Sequence, residues 1–189
     1  AKPFVTHHNA LNIPLYLRIS NELYLKRLVV GGFNRVYEFV RDFRNEGIDR
    51  THNPEFTQVE WYQAYGDYFD SMNLFEEVVE NACLAIHETT KVDYQGTEID
   101  FKRPWKRLKM VDAVAEKLGI DVLSMTKADI IKYMKDNDID LDPKITHSKG
   151  LVISALFEAT CEDSLVQPTF IIDHPIDSTP LCKPLREYT

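Results

Sequence analysis

Two runs of alternating residues on either side of a polar loop constrain the fold of this chain more than any other feature. Residues 35–43 and residues 56–65 alternate with the period of two that is typical of β-strands. The loop between them runs from Arg44 to Glu55. We therefore predict two antiparallel strands and a loop that is well placed to carry a site, because functional residues often lie on loops held by a rigid sheet.

Helical periodicity predicts two helices on either side of this strand pair. The first covers residues 22–30 and stops at Gly31 and Gly32, where a left-handed C-terminal cap costs little. The second begins with Asp70 as its N-cap and continues to about His87.

The second half of the chain has a different character. Short alternating runs predict a hairpin over residues 91–101. Residues 110–162 contain three helical segments, with Thr126 and Asp129 spaced as a capping box. Residues 169–173 then return to an apolar strand that suits a buried position.

Composition excludes several functional classes. The chain has 189 residues and 44% hydrophobic content, with neither a long apolar run nor a signal-like start, so we expect a soluble, cytoplasmic protein without a membrane association. Three scattered cysteines and the adjacent His7 and His8 indicate neither a disulfide framework nor a metal site. A net charge of −8 disfavours general binding of nucleic acid, and we interpret the basic cluster at residues 102–109 as a solvated connector rather than a phosphate contact.

The loop between the strands concentrates groups that suit a nucleotide. Arg44 offers a planar fork for a phosphate or carboxylate, His52 adds a donor, and Phe56 can stack on a base. Polar loops with ion pairs and turn residues are also common without any ligand, so the residue types alone leave both interpretations open.

The second strand places Glu60 and Tyr62 on one face, where a carboxylate and a phenol could bind an ammonium group. An ordinary half-exposed strand is the alternative for such a pair. Glu22 begins the first helix, where the helix dipole favours a carboxylate whether or not it binds a ligand.

The order of residues in the loop and the second strand is more specific than their residue types. Phe-Arg-Asn-Glu-Gly at 43–47, His-Asn-Pro-Glu-Phe-Thr at 52–57 and Glu-Trp-Tyr-Gln-Ala-Tyr at 60–65 closely resemble motif 2 of class II lysyl-tRNA synthetases. Flanking runs at 3–9, 22–32, 167–175 and 178–183 follow the order and spacing of that family. The resemblance covers nearly the whole chain.

The resemblance implies an α+β fold, with a mixed, mainly antiparallel sheet flanked by helices and interrupted by a helical insert. On this basis we expect a catalytic core over residues 1–105, a helical insert over 106–164 that packs outside the sheet, and a return to the core over 165–189.

The same resemblance assigns roles to particular side chains. It implies that Arg44 is catalytic and clamps the α-phosphate of ATP, while Glu46, His52 and Asn53 orient the nucleotide and Phe56 stacks on adenine. Glu22, Arg44, Glu60 and Tyr62 are expected to bind lysine. We expect Arg44, Glu46, His52, Phe56, Glu60 and Tyr62 to surround one cleft.

The implied reaction is the activation of L-lysine by ATP and Mg²⁺ to lysyl-adenylate, followed by transfer to tRNA(Lys) in a homodimeric enzyme. An OB-fold, motif 1, magnesium-binding carboxylates and motif 3 are absent from the sequence, so we expect a fragment that is inactive alone.

Two alternatives stay open: a non-catalytic or regulatory synthetase-like module, and a paralogue that lysylates elongation factor P. Gly47, the run Gln63-Ala64-Tyr65 and the long helical insert favour the tRNA enzyme over that paralogue.

Overall fold

A computed structural model describes residues 1–179 and 182–184 of the chain. The chain divides into two compact units, Ala1–Phe69 and Asp70–Thr189, which are treated separately below. The first unit contains β1 (Val5–His8), β2 (Ile13–Tyr16), α1 (Glu22–Val30), β3 (Arg35–Phe43) and β4 (Glu55–Gln63).

The predicted strand pair is confirmed as β3 and β4, which form an antiparallel ladder from Arg35 opposite Gln63 to Phe43 opposite Glu55. β4 ends at Gln63 instead of residue 65, because Tyr65 adopts a positive φ of 61° that a strand cannot continue through. The loop that follows β3 is therefore held between two paired strand ends.

The predicted first helix is also confirmed, with the same bounds. Leu25 is its buried residue, and α1 packs on β3 and β4. Gly31 keeps a right-handed conformation, and it is Gly32 that takes the left-handed one, with φ 103°. Gly32 therefore supplies the conformation that most other residues avoid at a helix end.

The second unit contains the remaining elements. They are α2 (Tyr68–His87, whose first two residues precede the unit boundary), β5 (Lys91–Tyr94), β6 (Thr97–Asp100), β7 (Lys106–Lys109), α3 (Met110–Leu118), α4 (Lys127–Asp136), α5 (Lys149–Thr160) and β8 (Thr169–Ile172). The hairpin β5–β6, the three helices and the capping box of Thr126 with Asp129 match the sequence prediction. None of the described helices is long and apolar enough to cross a membrane.

The predicted N-terminus of α2 is wrong. The helix begins at Tyr68, so Asp70 lies inside its first turn rather than at the N-cap. The carboxylate of Asp67 accepts a hydrogen bond from the backbone N–H of Phe69 at 2.8 Å, which is how an acidic residue just before a helix satisfies a free donor.

The interpretation of the basic cluster as a solvated connector is also wrong. Its last four residues form β7, which pairs in parallel with β8 and buries Leu108 to 6% exposure. Arg107 points to α2, where its guanidinium lies 3.2 Å from the carboxylate of Glu76. β8 is half-buried rather than fully buried, with Ile171 packed against the core.

The core of the second unit lies among the three helices and β7. It consists of Leu108, Met110, Ala113, Val114, Val122, Ile130, Met134, Val152, Ile153, Leu156, Phe157 and Cys161. The α+β class, with antiparallel sheets and helices, is confirmed, and the described strands occur as four two-stranded sheets. The division into residues 1–105, 106–164 and 165–189 stays a prediction, and its last segment extends beyond the described residues.

Candidate functional site

The site is built on one face of the β3–β4 ladder. The register places Val36, Glu38, Val40 and Asp42 opposite Tyr62, Glu60, Gln58 and Phe56. The residues of this face are buried or half-buried, whereas Tyr37 and Phe39 on the other face are 71% and 72% exposed. The strand parity read from the sequence therefore assigns Glu60 and Tyr62 to the same covered face.

Glu60 and Tyr62 form a hydrogen-bonded pair on this face. The Tyr62 hydroxyl donates to Oε1 of Glu60 at 2.5 Å. Burial raises the pKa of Tyr62 above its ordinary value, and the bond to Glu60 raises it further. The phenol therefore keeps its proton at neutral pH, and its oxygen lone pairs remain able to accept a hydrogen bond from a cation.

Lys26 connects Glu22 to this pair. Glu22 and Lys26 form an ion pair one helical turn apart on α1. The Lys26 ammonium also lies 5.6 Å from the centre of the Tyr62 ring, within the range of a cation–π contact. A side-chain ammonium group thus already contacts both Glu22 and Tyr62.

A buried polar layer that the sequence pattern did not predict supports Glu60. Asn21 and Asp42 are both fully buried. The side-chain amide of Gln58 donates to Asp42 at 2.6 Å and to Asn21 at 3.2 Å, and it lies 3.4 Å from Oε2 of Glu60. The only signal in the sequence was parity, because Asp42, Gln58 and Glu60 occupy alternate positions that share a face once the two strands pair.

The buried polar layer also includes Glu38, which lies on β3 opposite Glu60. Asn21 donates to Glu38 at 3.3 Å, and Arg18 donates to the other carboxylate oxygen at 2.9 Å. Because Asn21 directly precedes α1, this contact ties the start of the helix to the sheet.

Asp42 is the least satisfied member of the layer. Its Oδ1 atom has no hydrogen-bond partner, and the nearest cationic group is Nε of Arg18 at 3.8 Å. Burial raises the pKa of Asp42, although Arg18, Arg44 and the bond from Gln58 act in the opposite direction. A buried carboxylate with one unpaired oxygen is costly to keep charged.

Arg44 follows β3 and lies over Phe56. The centre of its guanidinium is 5.1 Å from the centre of the Phe56 ring, and its Nε donates to the carbonyl of Ile19 at 3.3 Å. The side chain is exposed. Its terminal N–H groups therefore face a surface where an anion can reach them.

The loop holds the other predicted nucleotide contacts. Asp49 accepts hydrogen bonds from the backbone N–H groups of Thr51 and His52, both at 2.8 Å, and contacts the His52 ring at 2.9 Å. These contacts, the Thr51 backbone bond first, lower the pKa of Asp49 to about 2. Glu46 and Asn53 are both exposed.

The structure thus brings together part of the predicted set. Arg44 contacts Phe56, Glu60 contacts Tyr62, and Glu22 is linked to Tyr62 by a common cation. His52 contacts Asp49 within the loop, and Glu46 is exposed. Their place in a common cleft stays a prediction.

Across residues 1–179 and 182–184, no group of three or more His, Cys, Asp or Glu side chains is arranged to hold a metal ion.

Comparison with known proteins identifies relatives of the entire chain. It is 54% identical over 189 residues to a lysine-tRNA ligase of Clostridium botulinum, covering 98% of this chain and 37% of that protein. It is 51% identical over 187 residues to a lysine-tRNA ligase of Christiangramia forsetii, covering 99% of this chain and 32% of that protein. A lysine-tRNA ligase of Clostridium acetobutylicum is 50% identical over 194 aligned residues, with all of this chain and 38% of that protein covered.

The chain therefore spans about a third of the length of the curated relatives it matches. Residues 1–189 also match the family described as class II tRNA synthetases (D, K and N). This match covers the β3–β4 ladder, its loop and the helical region alike. The chain belongs to the class II tRNA synthetases of the D, K and N group.

Proposed function

We propose that this chain forms part of the amino-acid activation site of a lysine-tRNA ligase, an enzyme that would act in the cytoplasm. The observation that carries the proposal is the placement of two complementary groups on one sheet face. A carboxylate–phenol pair, Glu60 and Tyr62, suits an ammonium group, and an exposed arginine, Arg44, suits a phosphate or carboxylate. Lysine and ATP together present these partners.

ATP is the proposed nucleotide. Phe56 offers an aromatic ring at the start of β4, and adenine could stack there against the Arg44–Phe56 pair. His52, Glu46 and Asn53 are proposed to orient the phosphates and ribose from the loop. The ordered turn around Asp49 supports this role for His52, because it restrains the ring before a ligand binds.

Lysine is the proposed amino acid. Its carboxylate would approach Arg44, while Glu60, Tyr62 and Glu22 would bind its amino groups. The Lys26 ammonium pairs with Glu22 and lies over the Tyr62 ring, and this supports the assignment because the amino groups of lysine are of the same chemical kind.

The proposed reaction is attack of the lysine carboxylate oxygen on the α-phosphorus of ATP. A bond forms between that oxygen and phosphorus, the bond to the bridging oxygen breaks, and pyrophosphate leaves with the electron pair. The carboxylate needs no base to remove a proton. Arg44 would hold both anions in line and offset the charge that develops on the α-phosphate, which is mainly positioning and electrostatic stabilisation.

Mg²⁺ is expected to accompany the phosphates of ATP. The described residues contain no group of three or more His, Cys, Asp or Glu side chains arranged to hold a metal ion, and no step of the proposal depends on a metal bound by them. Transfer of the lysyl group to tRNA(Lys) and assembly as a homodimer are proposed for the full-length protein.

The test is lysine-dependent exchange of pyrophosphate into ATP, measured on the full-length protein that contains this chain. Exchange with lysine and not with aspartate or asparagine is the expected result, followed by charging of tRNA(Lys). Absence of exchange, despite normal folding, would contradict the proposal and favour a non-catalytic module. Exchange without tRNA charging would favour lysylation of elongation factor P.

A further inference from the structure

The side-chain amide of Gln58 lies among acceptors that include two carboxylates. Its nitrogen is 2.6 Å from Oδ2 of Asp42 and 3.4 Å from Oε2 of Glu60, with the oxygen of Asn21 at 3.2 Å. A primary amide has two hydrogens, so these three acceptors exceed what it can serve at once. The short bond to Asp42 is the dominant one and fixes the position of the amide.

Asp42 is suited to act as the anchor for this amide. It is fully buried on the neighbouring strand, and its Oδ1 atom accepts no other hydrogen bond. Breaking its bond to Gln58 would leave a buried carboxylate with neither oxygen hydrogen-bonded, which is strongly unfavourable. The amide is therefore held on the Asp42 side, and Asn21 and Glu60 share its second hydrogen.

Glu60 needs a donor at this position. Tyr62 bonds only to its Oε1 atom, and Oε2 faces the amide of Gln58. Asp42 and Glu60 lie on the same face and repel each other when both are charged. The Gln58 amide lies between the two carboxylates. It separates their charges, and it restrains the second oxygen of Glu60.

We propose that Gln58 is a positioning residue for lysine recognition: anchored by Asp42, its amide orients the Glu60 carboxylate towards the amino group that Glu60 binds. The inference rests on the proposed function, because Glu60 is a lysine ligand only in that account. Restraint of both carboxylate oxygens lowers the ordering cost of binding the ammonium group. Gln58 itself contacts neither lysine nor ATP.

The experiment measures lysine-dependent pyrophosphate exchange in the full-length protein, with lysine and ATP varied in turn. Gln58→Met keeps the length of the side chain and removes the amide. We expect its KM for lysine to rise by about five- to tenfold, with kcat and the KM for ATP within about twofold of wild type. The matched control is Gln63→Met, which removes the same amide from the opposite face of the same strand and should leave all three constants unchanged.

Two further variants separate positioning from a general loss of structure. Gln58→Asn keeps a primary amide but withdraws it by one methylene from Asp42 and Glu60, so its KM for lysine should also rise. Asp42→Asn keeps an oxygen acceptor for Gln58 and should raise the KM for lysine less than Gln58→Met does. Circular dichroism establishes which variants fold, and Gln58→Asn decides the matter if Gln58→Met does not.

The outcomes distinguish this inference from the proposed function. An active wild type whose folded Gln58 variants keep the KM for lysine within twofold overturns the positioning role alone. An equal rise in the KM for lysine and for ATP also overturns it, because that pattern indicates a structural defect of the whole site. A wild type with no lysine-dependent exchange overturns the proposed function first, and the inference with it.

Discussion

The hydroxyl of Tyr62 donates a 2.5 Å hydrogen bond to the carboxylate of Glu60, two residues earlier on the same face of β4. Strand periodicity makes this contact possible, since only residues two apart project from the same side. The bond leaves the phenol oxygen free to accept a second hydrogen bond. Glu60 and Tyr62 should therefore act on an ammonium group as one unit.

Tyr62→Phe should weaken lysine recognition without disturbing the nucleotide. The variant keeps the ring beneath Lys26 and removes only the hydroxyl that bonds Glu60. A lost hydrogen bond to a charged group corresponds to a rise of about tenfold in the KM for lysine, with the KM for ATP unchanged. Steady-state pyrophosphate exchange measures both constants. Tyr37→Phe, on the exposed opposite face, is the control, and equal effects of the two variants would argue against a role for the Tyr62 hydroxyl.

Arg44→Ala should reduce the rate of adenylate formation even at saturating lysine and ATP. The guanidinium is proposed to stabilise charge in the transition state, so its loss lowers kcat and cannot be overcome by more substrate. A decrease of about 100-fold or more is expected, by analogy with the removal of other transition-state donors. Single-turnover kinetics measures the chemical step.

Two comparisons refine the Arg44 prediction. Arg44→Lys should recover little of the lost rate, because an ammonium lacks the planar fork that binds two oxygens at once. Arg41→Ala removes an arginine from the exposed opposite face, where it pairs with Glu55, and should leave the rate unchanged. Near-normal kcat in Arg44→Ala, with only a raised KM for ATP, would assign Arg44 to binding instead of catalysis.

Local patterns predicted the elements that position the site, for physical reasons that differ from one element to the next. Period-two alternation identified β3 and β4, because successive side chains of a strand point to opposite faces. Gly31 and Gly32 marked the end of α1, since a left-handed turn needs glycine. The capping box of Thr126 and Asp129 is likewise a local interaction that three residues of spacing reveal.

The features that the sequence did not reveal depend on distant partners. β7 consists of Lys106, Arg107, Leu108 and Lys109, and this run has no strand-like alternation. It forms a strand because β8, more than 60 residues later in the chain, pairs with it. The Asn21–Gln58–Asp42 layer likewise depends on the register of β3 against β4 and on the docking of α1. Residue types alone could not show that Asp42 is buried.

Asp42→Asn should stabilise the protein at neutral pH relative to wild type, and not at low pH. Because burial raises the pKa of Asp42 in the folded state above its ordinary value of 3.8, the carboxyl group is protonated in both states below that pH. As the pH rises, the unfolded chain ionises first, so the wild-type protein loses stability that the amide variant retains. Urea denaturation at pH 3.5 and pH 7 tests this difference, and a variant that gains nothing at pH 7 would show that Arg18 and Gln58 fully compensate the buried charge.

Thr126→Ala should reduce stability and leave the site intact. Thr126 caps α4 by accepting from the backbone of Asp129, and Asp129 bonds back to the backbone of Thr126. Loss of such a cap costs about 0.5–2 kcal/mol in the free energy of unfolding. Denaturant unfolding gives this value, and Thr126→Ser, which keeps the hydroxyl, serves as the control. A change in the KM for lysine would show that the helical region acts on the site.

Glu60 is proposed to bind an amino group of lysine, and Glu60→Gln is the decisive variant. The variant keeps the shape of the side chain and removes its charge, so lysine-dependent pyrophosphate exchange should weaken far more than ATP binding does. Removal of one partner of a desolvated charge pair costs about 3–5 kcal/mol, which corresponds to a loss of two or more powers of ten. Glu55→Gln, which removes an exposed carboxylate from the opposite face of the same strand, should have no such effect. A KM for lysine and an exchange rate that both stay within about threefold of wild type, under about 1 kcal/mol, would contradict the account and leave Glu60 a structural residue of β4.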